Sequence, residues 1–339
     1  KERVGRGDDM RVWGDSMMLC KRLVDTEMSE TVRHFGYQLL QHLSTKVWGS
    51  LAEDCREDLK RTAVGLLVGG TKGMLEERRF IKEKAAQVVT RLMAHDWPAR
   101  WPRLTSQIRS LILQGGTPGE LALIALRALP DEIFGEGVGA ARRNDLLAAL
   151  HAELPQLLGL LAQVLAQEAA EPSGEQRRLM VEALCGCFEA YGNVAPVKVT
   201  CESGAPAVLH ALLPDHALRL KAADALLAVV GKKTREAHAQ MCELAGLLVG
   251  TVGSMGVGTE PEHYRFCRRL VQVTCELAVC HPGAIAAHPP TAQAVAQLML
   301  ALVAYPCAKI PAATLPYWGG LVEAQRNARG KEGGGDGGF

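Results

Sequence analysis

Ala85-Ala-Gln-Val-Val-Thr-Arg-Leu-Met-Ala-His-Asp-Trp-Pro-Ala-Arg-Trp-Pro102 is an amphipathic run that ends on a double break. Ala85, Val88, Val89, Leu92 and Met93 recur at three- and four-residue spacing, which places them on one face of an α-helix. Trp97-Pro98 then stops that helix, because a proline restricts the residue before it and has no N–H to donate. Trp101-Pro102 repeats the signal four residues on, so the second indole can pack back over the preceding turn. Two helices meeting at a rigid joint are the unit that this stretch predicts.

The same pattern extends in both directions. Val32, Phe35, Leu39, Leu40 and Leu43 form one helical stripe, and the series from Leu147 through Leu150, Leu154, Leu157, Leu158, Leu161, Val164 and Leu165 forms the longest. Pro155 is expected to kink or split that long helix. Breaks are expected at 48–50, 69–71, 97–98, 115–118, 135–139, 172–174, 214–215, 231, 253–258, 282–283 and 289–290, leaving segments of helix length between them. Ser29 is placed to cap one helix start, and Asp215 another. Sustained period-two alternation is not seen, so no sheet is expected.

These observations predict an all-α fold, an α-solenoid of HEAT-like antiparallel helix pairs with a period near forty residues, in which each pair buries its face by stacking on the next. A compact helical bundle satisfies the same periodicity, since periodicity does not order helices in space. The array is expected over 29–325, between an irregular N-terminal segment, 1–28, and a disordered glycine-rich tail, 326–339. Neither end reads as a solenoid cap, which suggests a truncated product.

Composition narrows the function. With 339 residues, 48% hydrophobic and 22% charged, the chain can bury a large core. Lys and Arg number 38 against 37 Asp and Glu, so any basic surface must be local. The ten cysteines sit singly in apolar stretches and read as reduced core residues. The opening residues lack a signal-peptide hydrophobic region, and an intracellular, unanchored protein is expected. Three polar motifs fail on inspection. Gly253 to Gly258 has its glycines in the wrong order and follows a helix. Gly231-Lys-Lys-Thr234 lacks the preceding strand and glycine of a phosphate loop, and His151-Ala-Glu153 has no cysteine pair to complete a zinc site. No catalytic residue, metal site or cofactor is expected.

Arg91 to Pro102 resembles the paired Trp-Pro element of the importin-β/exportin superfamily. Val32 to Leu40, Leu75 to Lys84, Gln114 to Leu121, Arg142 to Asp145 and His263 to Leu270 are similar to further segments of one exportin branch, in order. Tyr191-Gly-Asn-Val194 departs from the pattern, lacking the tryptophan that exportins commonly carry there. The resemblance implies a nuclear transport receptor that shuttles between nucleus and cytoplasm, binds Ran-GTP largely through N-terminal repeats, and carries structured double-stranded RNA or protein cargo. Nucleoporins are possible further partners, and no membrane is. RNA binding by this chain alone is expected to be weak or absent.

One stretch offers a charge pattern in keeping with such partners. From Glu53 to Arg103 there are eleven Lys and Arg against eight Asp and Glu. Lys60, Arg61, Arg78, Arg79, Lys82 and Lys84 are candidates to line one face of successive helices and meet acidic protein or RNA phosphates. Trp97, Pro98, Trp101 and Pro102 are the structural motif beside them. A solvated outer face of mixed charge is the plainer reading of the same residues. A helical-repeat scaffold without Ran binding is the alternative function.

Overall fold

The computed structural model describes residues 6–234, 236–255 and 261–332. Among these the chain is all-α, with no strand, and the helices pack on near neighbours in chain order. The chain divides into two compact units, 1–160 with 167–187, and 161–166 with 188–339.

The first unit opens with α1 (Arg6–Leu23), α2 (Glu30–His42), α3 (Glu53–Gly69), α4 (Arg79–Asp96), α5 (Leu104–Gln114) and α6 (Gly116–Phe134). Helices α2, α4 and α6 touch in sequence and form its central row, while α1, α3 and α5 each lie against that row. The reason is visible in α4. Ile81, Ala85, Ala86, Val88, Val89 and Leu92 are all fully buried, a stripe wide enough to meet α2 on one side and α6 on the other. Ser29 caps α2 as expected, its hydroxyl accepting from the Val32 N–H. Gly115 and Gly116 have φ of 69° and 59°, a left-handed turn that L side chains rarely adopt, so α5 turns into α6 with no linker.

The expected irregular segment 1–28 contains a helix instead. Trp13, Met17, Cys20 and Val24 fall at four-, three- and four-residue spacing and are buried, a stripe hidden in the sequence by the polar residues around it. Of the expected tail, residues 326–332 are likewise helical, since the last helix runs to Glu332. Residues 1–5, the glycines at 256 and 258, and the tail beyond 332 lie outside the described residues.

Helix α7 (Ala140–Ala170) is not split at Pro155, so of the two outcomes expected there the split does not occur. Proline costs a helix one hydrogen bond and a steric contact. Here Leu150, Leu154, Leu157, Leu158, Leu161 and Leu165, all buried along the stripe that spans it, offset the loss. Among the described residues this helix alone is long and apolar enough to cross a membrane, but Leu150, Leu154, Leu157, Leu158, Leu161 and Leu165 are buried in the fold.

Helix α8 (Glu175–Gly192) leads into the second unit, which holds α9 (Val197–Glu202), α10 (Ala205–Ala211), α11 (Arg219–Val230), α12 (His238–Ser254), α13 (Pro261–Cys280), α14 (Pro282–Ala286), α15 (Pro289–Val303) and α16 (Lys309–Glu332). Here the stacking has two rows. Helices α10, α12 and α15 touch in order, as do α11, α13 and α16, and α10·α11, α12·α13 and α15·α16 are the cross-pairs. Two parallel rows of paired helices are what HEAT-like stacking means. Asp215 caps the turn before α11, accepting from the Ala217 N–H. Of the ten cysteines, none joined in a disulfide, eight are buried, Cys242 is half-buried and Cys307 is exposed.

Gly192, at the end of α8, shows how close this stacking is. A Cβ built there would lie 2.7 Å from the backbone carbon, oxygen and Cβ of Ala228. Gly192→Ala gains about 1 kcal/mol of helix propensity. The opposing atoms are backbone and cannot rotate away, so a net loss of about 1–3 kcal/mol is expected by chemical denaturation.

Candidate partner-binding surface

The six candidate cations do not share a face. Successive residues on a helix point about 100° apart, so Lys60 and Arg61, or Lys82 and Lys84, must diverge. Lys60 and Lys82 point inward and are buried, whereas Arg61, Arg78 and Arg79 are exposed and Lys84 is half-buried. The outward four are engaged locally: Arg61 lies 3.8 Å from Asp58, Arg78 3.2 Å from Glu30, Arg79 3.0 Å from Glu83, and the Lys84 ammonium donates to the Gln87 side chain. The expected single row is thus corrected to two populations, with different work to do.

The inward cations join helices. Lys82 on α4 reaches α6, its Nζ lying 2.9 and 2.7 Å from the two carboxylate oxygens of Glu120, and donates as well to the Met74 carbonyl at 2.6 Å. Burial pushes the Glu120 carboxyl up despite the pull of Lys82. Lys60 on α3 reaches the end of α4, with Asp96 Oδ2 and Glu57 Oε1 each 2.6 Å away, and donates to the Arg100 carbonyl. Burial works against its charge, but these two carboxylates outweigh it and raise its pKa.

A third buried pair was not anticipated. Arg33 on α2 lies 2.6 Å from Glu77 in the α3–α4 loop, and donates with Tyr37 to the Gly70 carbonyl. Burial alone would raise the Glu77 carboxyl, but Arg33 and the backbone N–H groups of Lys72 and Arg78 hold it below its ordinary value. The signal for all three lay in register. Arg33 leads Gly36, Tyr37 and Leu40; Lys60 leads Ala63 and Leu67; Lys82 leads Ala85, Ala86 and Val89. A charge in line with a buried apolar stripe is itself buried and needs a partner.

The Trp-Pro motif sits on the second of these pairs. Helix α4 ends at Asp96, Trp97-Pro98 is a cis peptide, and α5 starts only at Leu104, so the run is the connection itself and not the first turn of a helix. Trp97 is buried and donates from its indole to the Thr105 hydroxyl at 2.9 Å. Asp96 accepts two bonds from Arg100, while Arg142 at the start of α7 donates to the Ala94 and Trp97 carbonyls. The Lys60 ammonium lies 5.9 Å from the centre of the Trp101 ring.

Over this joint opens a hollow of about 430 Å3, lined by Glu57, Lys60, Arg61, Val64, Arg100, Trp101, Pro102, Arg103 and Gln107. It holds four cationic side chains and one carboxylate. No group of three His, Cys, Asp or Glu side chains that would hold a metal ion occurs among the described residues.

Comparison with known proteins agrees with the resemblance read from the Trp-Pro element. The family model of exportin 1-like proteins matches residues 78–226, from the start of α4 into α11. Exportin-5 of Mus musculus is 27% identical over 326 residues, covering 88% of this chain and 27% of that protein. Protein HASTY 1 of Arabidopsis thaliana is 28% identical over 236 residues, covering 65% of this chain and 19% of that protein. Exportin-T of Homo sapiens is 24% identical over 236 residues, covering 66% and 24%. The chain spans about a quarter of the length of the curated relatives it matches.

Proposed function

We propose that this exportin-5-like chain is the Ran-binding part of a nuclear export receptor, a non-catalytic helical array that shuttles between nucleus and cytoplasm. The observation that carries the reading is the similarity to exportin-5 over 88% of the chain, together with HEAT-like stacking in each unit. The mechanism is linkage: Ran-GTP and cargo bind one array, and each raises the other's affinity by favouring the same conformation. The three buried ion pairs suit that role, because they fix how α2, α3, α4 and α6 meet while the outward cations stay at the surface beside their local carboxylates, as a mixed-charge face toward a partner.

Those outward cations favour protein over RNA as the partner of this chain. Arg61, Arg78 and Arg79 each stand beside a carboxylate, and Glu53, Asp54, Glu57 and Asp58 crowd the start of α3. Phosphodiester backbones need uncompensated cations along their length. Double-stranded RNA and protein cargo belong to the proposed receptor as a whole, and nucleoporin contacts are proposed with them.

The test is capture of purified Ran on the immobilised chain. Ran loaded with a non-hydrolysable GTP analogue is expected to be retained and Ran-GDP to be lost in the wash. Equal retention of both, or of neither, would overturn the assignment in favour of a scaffold without Ran binding. A short RNA duplex offered to the same chain is expected to bind weakly and to be released between about 50 and 200 mM salt.

A further inference from the structure

The hollow over the Trp-Pro joint shares Arg61 with the partner-facing cations just described but has a chemistry of its own. Lys60 at its base is spoken for by Asp96 and Glu57, and Arg100 on its side by Asp96. Arg61 and Arg103 on the rim are exposed, and the nearest carboxylate to Arg61 is 3.8 Å from it. The lining also holds Val64, half-buried, Pro102, exposed, and Trp101, buried. A pocket with a cationic rim and an apolar wall is complementary to a carboxylate next to an aliphatic side chain.

The geometry points to this hollow as a docking site for an extended acidic peptide of a partner protein, one that places an aliphatic residue against Val64 and Pro102 and flanking carboxylates on Arg61 and Arg103. Arg and an aromatic edge beside a shallow apolar pocket are the elements on which such contacts concentrate their energy. Nucleic acid fits less well, for three reasons. The cations converge on one hollow and do not follow a line of phosphates. The apolar wall has nothing to offer a phosphodiester. Glu57 in the lining, with Glu53, Asp54 and Asp58 beside it at the start of α3, repels a continuous polyanion more than a peptide a few residues long that sets its carboxylates on Arg61 and Arg103.

The probe is a fluorescein-labelled peptide alternating glutamate and leucine, titrated by anisotropy against the full chain with no Ran present. Saturable binding that weakens with salt is expected. The double variant Arg61→Glu with Arg103→Glu should weaken it about tenfold. That variant should fold normally, since neither side chain holds a buried partner and Glu at the start of α5 suits the helix dipole. Val64→Ser should weaken the leucine-containing peptide and leave an all-glutamate peptide unchanged. Equal affinity in the double variant, or equal binding of a glutamine-leucine peptide, would sink the proposal. So would a short RNA duplex that binds more tightly than the peptide and is lost with the same two arginines. Because Ran is absent, failure here leaves the Ran capture test untouched, and failure there leaves this one standing.

Discussion

Lys82→Met is expected to unfold at much lower urea than the parent chain, with about 3–5 kcal/mol lost. Methionine fills the space of the lysine stem, so little packing is lost. What remains is Glu120, whose side chain is 6% exposed, facing α4 with no bonded cation and only the weaker pull of Arg79 on its charge. A buried carboxylate without its partner is more costly than the pair was favourable, because the desolvation of the charge is no longer offset. The double variant Lys82→Met with Glu120→Leu removes both charges and should recover most of the loss. A residue of about 1–3 kcal/mol should persist, since the Met74 carbonyl has lost its donor.

The pH dependence of the single variant has a definite sign. Glu120 already holds its proton more tightly when folded than when unfolded, because of burial. Without Lys82 that preference grows. A carboxyl with a raised folded pKa costs stability as pH rises from the unfolded value through the folded one. Lys82→Met should therefore be least damaging in mild acid and most damaging at neutral pH. A loss under about 1 kcal/mol at neutral pH would mean that water reaches the pair and that the α4–α6 contact rests on its apolar stripe alone.

Much of this architecture was legible beforehand. The helical stripes are strong because apolar residues on α4 and α7 recur without interruption, and the breaks at Gly69-Gly70, Trp97-Pro98, Gly115-Gly116 and Gly231 rest on local backbone chemistry that tertiary packing does not override. Charge was read less well. Counting Lys and Arg between Glu53 and Arg103 treats all eleven as surface, whereas register assigns Lys60 and Lys82 to the interior. The partners Glu77, Asp96 and Glu120 were illegible for a different reason. Each is 36 to 44 residues from its cation, as 33 to 77, 60 to 96 and 82 to 120 show. Nothing local in the sequence specifies such a pairing. Helix α1 was missed because Trp13, Met17, Cys20 and Val24 are spread thinly among polar residues, and only packing on α2 reveals the stripe.

Arg33→Met tests the other kind of buried pair, and its signature in acid is opposite to that of Lys82→Met. Glu77 keeps the Lys72 and Arg78 N–H donors when Arg33 is gone, so its charge remains partly satisfied. The loss should fall near the lower end of the range for a broken buried pair, about 3 kcal/mol at neutral pH. In the parent chain the folded pKa of Glu77 lies below its ordinary value, so its ionisation stabilises the fold above the unfolded value of about 4.3. That stability is lost as pH falls through the folded value. Removing Arg33 removes the strongest side-chain pull on that carboxylate. The stability gap between parent and variant should therefore narrow as pH drops below about 4, whereas the gap for Lys82→Met narrows already in mild acid, above that value, and for the contrary reason, relief of the variant and not weakening of the parent. Urea midpoints of both variants and the parent across that range separate the two cases. For Arg33→Met the parent curve should fall toward a flat variant curve, and a gap that stays constant in acid would show that Arg33 holds Gly70 and the α2–α3 packing, not the charge of Glu77.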